Sequence, residues 1–558
     1  MSKFAESVGM SRRRFLALSA VGAGGIALAA CGSDDDDTAV PETSPSAGTQ
    51  GGSETTQSGG TTAPAETADT TATTGGGGSS TGTLTIGMNS VVEGLTPFAI
   101  QGYVWSQMLG FVLYDPLIKK DTEGNLQPCL ATEWDTSDPL KTVLKIREGV
   151  TFHDGTPLTA KDVAYSIAAR SDESLIASTA GRPIMTPSQW VSAEAVDDLT
   201  VEVVTTERVE FLLNPQPVLI VPDQSFGKVN FANEAAGTGP FKLKKFTSGT
   251  GLETEANADY WDGAPGVGNL HFAFFADPAT AATGLRSDQV DGLYDVAPAN
   301  SDSVSDVEGT TLTTMGIYAH WWIVQMGKEP LDDPEVRKAL RHCFDIEAIN
   351  NAAFKGKGVA HSWNPFNLYP NNDGIEADVA YDPATTKQLL ADLGKSDISV
   401  PLLCIEGYQD GIAAAQVIQQ SFEEAGITCE VEVAAAADWL ERTYTNGDWE
   451  GLAFNAGNLP SPAKNFYDYL VNPSSLLSKY KEGDVNEEVA KLYREINATP
   501  YDAPELDDLM AKAEATIVED AVALMGFGAP VSLVLPDGVS GVIVNGYGDV
   551  FWDKVKVA

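Results

Sequence analysis

The 558-residue chain carries 35 Lys and Arg against 78 Asp and Glu, a formal charge of −43 at pH 7, and 43% of its residues are hydrophobic. Such acidity repels phosphate backbones and anionic lipid headgroups, so it excludes nucleic acid and a bare anionic membrane surface as partners. It also marks a heavily solvated surface and by itself names no ligand.

The N-terminus reads as a targeting segment. Arg12, Arg13 and Arg14 precede an apolar, glycine-interrupted run from Phe15 to Ala30. That run is shorter than the roughly 20 apolar residues that cross a bilayer, so it is not a permanent span. The order Ser11-Arg12-Arg13-Arg14-Phe15-Leu16 matches the twin-arginine signal, which exports folded proteins. Leu28-Ala29-Ala30-Cys31 resembles the bacterial lipobox, where small residues precede the cut and the cysteine thiol takes a diacylglycerol. Residues 1–30 are therefore expected to be a signal peptide, with a lipid on Cys31 holding the protein to the outer, extracytoplasmic face of the cell membrane. An ordinary secretory peptide with an incidental cysteine is the alternative. Residues 31–82 are built from Ser, Thr, Gly, Ala, Pro, Asp and Glu, a composition expected to give a disordered tether. Flexible-coil statistics give it a reach of about 40 Å.

Residues 83–558 are too many for one core and suit two lobes. Strands are predicted at Leu84-Thr85-Ile86-Gly87-Met88, Val143 to Ile146 and Val201 to Val204. Thr159 with Asp162 forms a capping-box variant that opens a helix through Val163, Tyr165 and Ile167. Asp333-Pro334 opens another, and Asp382-Pro383 a third, which Gly394 ends. Val400 to Val433 reads as strand, loop, helix and strand: one βαβ unit with a parallel pair. Ligands of open α/β sheets sit beyond strand carboxyl ends, which makes the loop Glu406-Gly407-Tyr408-Gln409-Asp410 a cleft candidate. Apart from Cys31, the cysteines Cys129, Cys343, Cys404 and Cys429 are widely spaced among apolar residues and show no CxxC. They read as core thiols, with a Cys404–Cys429 bridge as the lesser alternative.

Several segments, in order, resemble the family-five extracellular solute-binding proteins of ABC importers. They are Leu113-Tyr114-Asp115-Pro116-Leu117 with Pro128 to Trp134; Gly149 to Val163, which contains Phe152-His153-Asp154-Gly155-Thr156-Pro157-Leu158; and Gly237-Thr238-Gly239-Pro240-Phe241-Lys242-Leu243 with Asn257 to Trp261. Val336-Arg337-Lys338-Ala339-Leu340 and Tyr381-Asp382-Pro383 complete the set. The resemblance implies a two-lobed α/β, periplasmic-binding-protein-like (type II) fold with an extra subdomain in lobe one. The chain then crosses between lobes near residues 314 and 526, so that lobe one is 83–313 plus 527–558 and lobe two is 314–526. Hinge closure around a ligand is read by a permease.

An enzyme is disfavoured. Five histidines (His153, His271, His320, His342 and His361) stand without HExxH, GxSxG, GxxxxGK[ST] or paired CxxC patterns, and no metal site or cofactor is indicated. His153 lies in a turn motif that reads as scaffold, and His320, before two tryptophans, is the histidine best placed to face a ligand. The resemblance carries ligand contacts onto Tyr103 and Trp105; Trp321 and Trp322; Trp363 with Asn364; and the stretch containing Asn455 and Asn458, with Tyr294 and Tyr408 as weaker additions. For each aromatic, ordinary core packing is the competing role. Peptide-binding members place an aspartate against the peptide's α-ammonium. Here Asn455-Ala456-Gly457-Asn458-Leu459 has no acid at that place, so a peptide shares the field with a sugar, an opine-like compound or a metal chelate. The reading is a monomeric, lipid-anchored substrate-binding subunit of an ABC importer, partnered by permease subunits and a small-molecule or peptide ligand. A sensor of the same fold feeding a membrane receptor is the alternative, and an extracellular hydrolase comes third.

Overall fold

A computed structural model describes residues 82–89, 92, 94–97, 108–122, 126–169, 190–206, 218–358, 360–363, 377, 379–457, 487–499 and 503–557 except 546–547. All belong to the unit Ser79–Ala558. Cys31, the leader and the tether lie outside the described residues.

Local chemistry sets the elements. Thr159 caps the helix Ala160–Ala169 through Asp162, whose Oδ2 accepts from Thr159 N and Oγ1, both at 2.7 Å. Asp333 accepts from Glu335 N at the head of Pro334–Leu340, and Asp382 accepts from Ala384 N at the head of Pro383–Asp392. In each case proline occupies the first turn, where its missing N–H costs nothing. The βαβ unit runs Leu402–Ile405, Gln409–Glu424 and Val431–Ala434, with the strands parallel and Leu402 opposite Val431. Its helix begins inside the expected loop, at Gln409.

The main sheet has eleven strands among the described residues. Two long antiparallel strands, Thr310–Val324 and Ala523–Pro536, form its spine. On one side the order continues through Leu452–Gly457, Leu402–Ile405 and Val431–Ala434. On the other it continues through Gly292–Val296, Thr83–Met88, Asn269–Phe274, Gly251–Ala256 and Phe241–Thr247, while Ala360–Ser362 pairs with Ala523–Pro536. The expected crossing points, Thr314 and Gly526, fall inside the two spine strands. The spine register shifts between Thr314 and Gly316 and again between Trp321 and Trp322, where Met525 takes φ 47°.

Apolar cores among the described residues include three. One gathers Trp321, Trp322, Phe344, Trp363, Ile418, Phe422 and Phe454 on the half containing the βαβ unit. A second, with Phe275, Leu285, Leu293 and Val534, lies on the other half. The third, with Leu144, Phe152, Val163, Ile167 and Val201, lies between Ala160–Ala169 and a separate four-stranded sheet of Ala131–Asp138, Lys141–Ile146, Thr200–Thr205 and Trp190–Asp197.

The sequence hallmarks meet at one buried carboxylate. Asp115 accepts from Tyr260 OH (2.7 Å), Thr238 Oγ1 (2.9 Å) and Trp261 Nε1 (3.0 Å), and the Cys129 thiol lies 3.9 Å away. A Cβ on Gly237 would stand 2.0 Å from the Leu113 carbonyl oxygen, so only glycine lets these segments meet. His153 Nε2 lies 2.9 Å from the Gly239 carbonyl oxygen, fastening the third hallmark to the second. Arg337 donates to the Asp520 carbonyl at 2.7 Å, while Glu335 binds Lys338. Cys129, Cys343, Cys404 and Cys429 are all free, and burial pushes the Cys404 and Cys429 thiols up to about 12.

Candidate ligand cleft

Parallel strands place their carboxyl ends together, and both halves of the sheet do so. Thr83–Met88 pairs in parallel with Asn269–Phe274 and Gly292–Val296, Met88 standing opposite Tyr294. Leu402–Ile405 is parallel to Val431–Ala434 and Leu452–Gly457. At the first set of ends stands Asp295, and Asp410 stands in the helix start that follows the second. Ligands of open α/β sheets settle at such ends.

Asp410 lies in the first turn of Gln409–Glu424, where the helix dipole favours a carboxylate. Its Oδ1 accepts from Gly411 N at 2.9 Å, and its Oδ2 lies 3.5 Å from His320 Nδ1. His320 is buried beside Phe354 (ring centroids 5.2 Å) and Phe454 (5.4 Å). Burial pulls its pKa down, against the upward pull of Asp410, which leaves a neutral imidazole at pH 7. Tyr408 and Trp322 flank the same Phe454 ring at 6.0 and 5.5 Å. A Cβ on Gly411 would meet that ring at 2.6 Å, so this glycine allows the helix start and the aromatic cluster to close together. Burial and then Asp410 push Asp295 up to about 6.

The structure thus brings together His320, Trp322 and Tyr408 of the sequence candidates, and adds Asp295, Asp410 and Phe354. Trp321 is buried across the ladder from Asn455, itself buried, and as its neighbours' strand alternation requires it faces away from His320 and Trp322. Trp363 packs edge-on to Phe344 at 5.7 Å beneath the Arg341 guanidinium, inside the apolar core. Tyr294 is buried and donates to the Gly548 carbonyl at 3.2 Å. For Trp363 and Tyr294 the contacts are those of packing. Tyr103, Trp105, Asn364 and Asn458 lie outside the described residues. Asp410 was within reach of sequence reasoning through its loop, whereas Asp295 owes its place to a β-bulge that no periodicity signals.

Residues 125–476 match the profile of the bacterial extracellular solute-binding proteins, family 5 Middle. The chain belongs to this family. A putative ABC transporter peptide-binding protein of Brucella ovis is 28% identical to the solute-binding protein over 357 residues, 60% of this chain and 64% of that one. The periplasmic oligopeptide-binding protein OppA of Salmonella typhimurium is 27% identical over 53% of this chain and 58% of its own length. The matched region therefore spans less than two thirds of these relatives. Among solved structures, AgaA of A. tumefacien R10 in complex with agropinic acid superposes with a TM-score of 0.74 at 22% identity, covering 86% of this chain and 99% of that one. AppA of Bacillus subtilis in complex with a nonapeptide gives 0.72 at 21%, covering 86% and 100%. The fold is the two-lobed one of periplasmic binding proteins. No helix among the described residues is long and apolar enough to cross a membrane.

Proposed function

We propose that this protein is the lipid-anchored, extracytoplasmic substrate-binding subunit of an ABC importer, and that it captures a small solute between its lobes. The observation that carries the reading is the match to family five, with Asp410, His320, Phe454 and Tyr408 clustered beyond the carboxyl end of Leu402–Ile405. Among the described residues the strands Thr310–Val324 and Ala523–Pro536 join the two halves of the sheet, and a hinge motion there would open and close the cleft. The relatives are named for peptide binding, and solved structures of the same fold hold agropinic acid or a nonapeptide, which supports a small solute or a short peptide as the ligand. Tyr408 and Trp322 are the candidate wall residues, and Asn458, Tyr103, Trp105 and Asn364 remain proposed contacts.

Anchoring rests on the twin-arginine leader and the Cys31 lipobox. In cells expressing the full chain, Cys31→Ala is expected to move the protein from the membrane to the soluble fraction while solute binding persists. Membrane retention of the variant contradicts the anchor. Loss of binding by the released, folded protein contradicts a merely tethering role for the lipid.

A further inference from the structure

We propose that the turn Lys355-Gly356-Lys357 is a strap that ties the two halves of the main sheet together when no solute is bound. The inference rests on the solute-binding reading and adds to it a device that sets how far the cleft stands open.

The two ends of the strap belong to different cores. The helix Ile346–Phe354 buries Ile349, Ala353 and Phe354 in the core that holds Trp322 and Phe422. The short helix Pro298–Ser301 lies in sequence between Val296 and Val304, both buried in the core that holds Phe275 and Leu285. These halves attach to different parts of one spine strand. Ala360–Ser362 pairs with Gly526 to Gly528, whereas Gly292–Val296 pairs with Ser532 and Val534. Across that interval Lys355 Nζ donates to the Ala299 carbonyl. Lys357 Nζ donates to Ser301 Oγ at 2.8 Å and to the Asp302 carboxylate.

Both ends are fixed within their own half. Gly356 N donates to the Asn350 carbonyl at 3.0 Å and Gly358 N to Asn350 Oδ1 at 2.9 Å, and a Cβ on Gly358 would stand 3.2 Å from the Phe527 ring. On the other side Arg286 donates to the Ser303 carbonyl (2.7 Å) and to Asp306 (2.5 Å), which holds the turn after Asp302. Lys355 supplies the sharper argument. It closes its helix at φ 52°, in the left-handed conformation where glycine is usual and a side chain is costly. Its side chain is what reaches the opposite half, which gives a reason for a lysine at that place. Exposed ion pairs contribute little one by one, and the Lys357 and Asp302 side chains are 38% and 64% exposed. An open and a closed form of similar free energy nevertheless change population several-fold under so small a bias. Because the contacts are ionic and near the surface, salt weakens them.

Distances between two spin labels test the strap, measured in the full chain carrying Cys31→Ala, in which Cys129, Cys343, Cys404 and Cys429 are buried. Labels on Lys244→Cys and Gln416→Cys, both exposed, report on the two halves. At low salt and without solute this background is expected to show mainly the distance of the structure described here. Lys357→Gln, Asp302→Asn and about 1 M NaCl are each expected to raise the population at other distances by about threefold or more. Lys355→Gly is expected to do the same while melting no lower than its parent, since glycine relieves the left-handed turn. Lys328→Gln, which removes an equal charge from a pair with Asp448 inside one half, is expected to change nothing. An unchanged distribution in both Lys357→Gln and Asp302→Asn overturns the strap, as does an equal shift in Lys328→Gln. A mixed pool of short peptides separates the two readings. If the pool still shifts the distribution, solute binding stands without the strap; if neither the pool nor any variant moves it, both readings fail.

Discussion

Asp115 is the residue on which the hallmark segments converge, because one carboxylate serves three donors from Thr238, Tyr260 and Trp261. An asparagine there keeps the size but loses the charge, and it presents a donor where acceptors are needed. Asp115→Asn is expected to destabilise the protein by roughly 2–4 kcal/mol, seen as a lower melting temperature. A change too small to measure contradicts the role given to this carboxylate. Asp295 behaves in the opposite sense. Its carboxyl is raised from an ordinary 3.8 to about 6, so between those values the unfolded chain has released the proton while the folded chain still holds it. Stability from this group is present below about pH 4 and is lost as pH rises to about 6. Urea midpoints of Asp295→Asn are therefore expected to gain on wild type across that window. Parallel pH profiles of the two proteins contradict the assignment.

At the scale of elements, caps were readable and bulges were not. Asp333-Pro334, Asp382-Pro383 and Thr159 with Asp162 announce helices because each is a local arrangement of one side chain and a few backbone N–H groups. The spine strands follow no simple alternation, since one end of Thr310–Val324 is partly exposed and the other is buried on both faces. Their length and shifts in register come from packing between lobes. For the same reason the tryptophans could be listed but not sorted. Trp363 lies in the core under Arg341, so Trp363→Ala is expected to cost about 3–5 kcal/mol of stability and to leave the affinity of the folded protein unchanged. Tyr408 is only partly buried at the cleft, and Tyr408→Ala is expected to weaken solute binding about tenfold with little change in melting temperature. Calorimetry and thermal denaturation of the pair check this. The reverse pattern contradicts the sorting.

For the whole molecule, two lobes, an added subdomain and the family were legible because the hallmark segments occur in order over most of the chain, and each holds the scaffold together. The cleft's chemistry was less legible. His320 and Asp410 are 90 positions apart in sequence and come within 3.5 Å only through the packing of their elements. The overall charge of −43 contributes solubility and repulsion from anionic surfaces. The central claim is that the protein captures a solute and returns it unchanged. Native mass spectrometry of the purified full chain, after incubation with a mixed pool of short peptides and amino-acid derivatives, tests it directly. The account predicts one small molecule bound per chain, recovered after denaturation with its mass intact even after prolonged incubation. No retained solute, or recovery of cleaved products in its place, would contradict it.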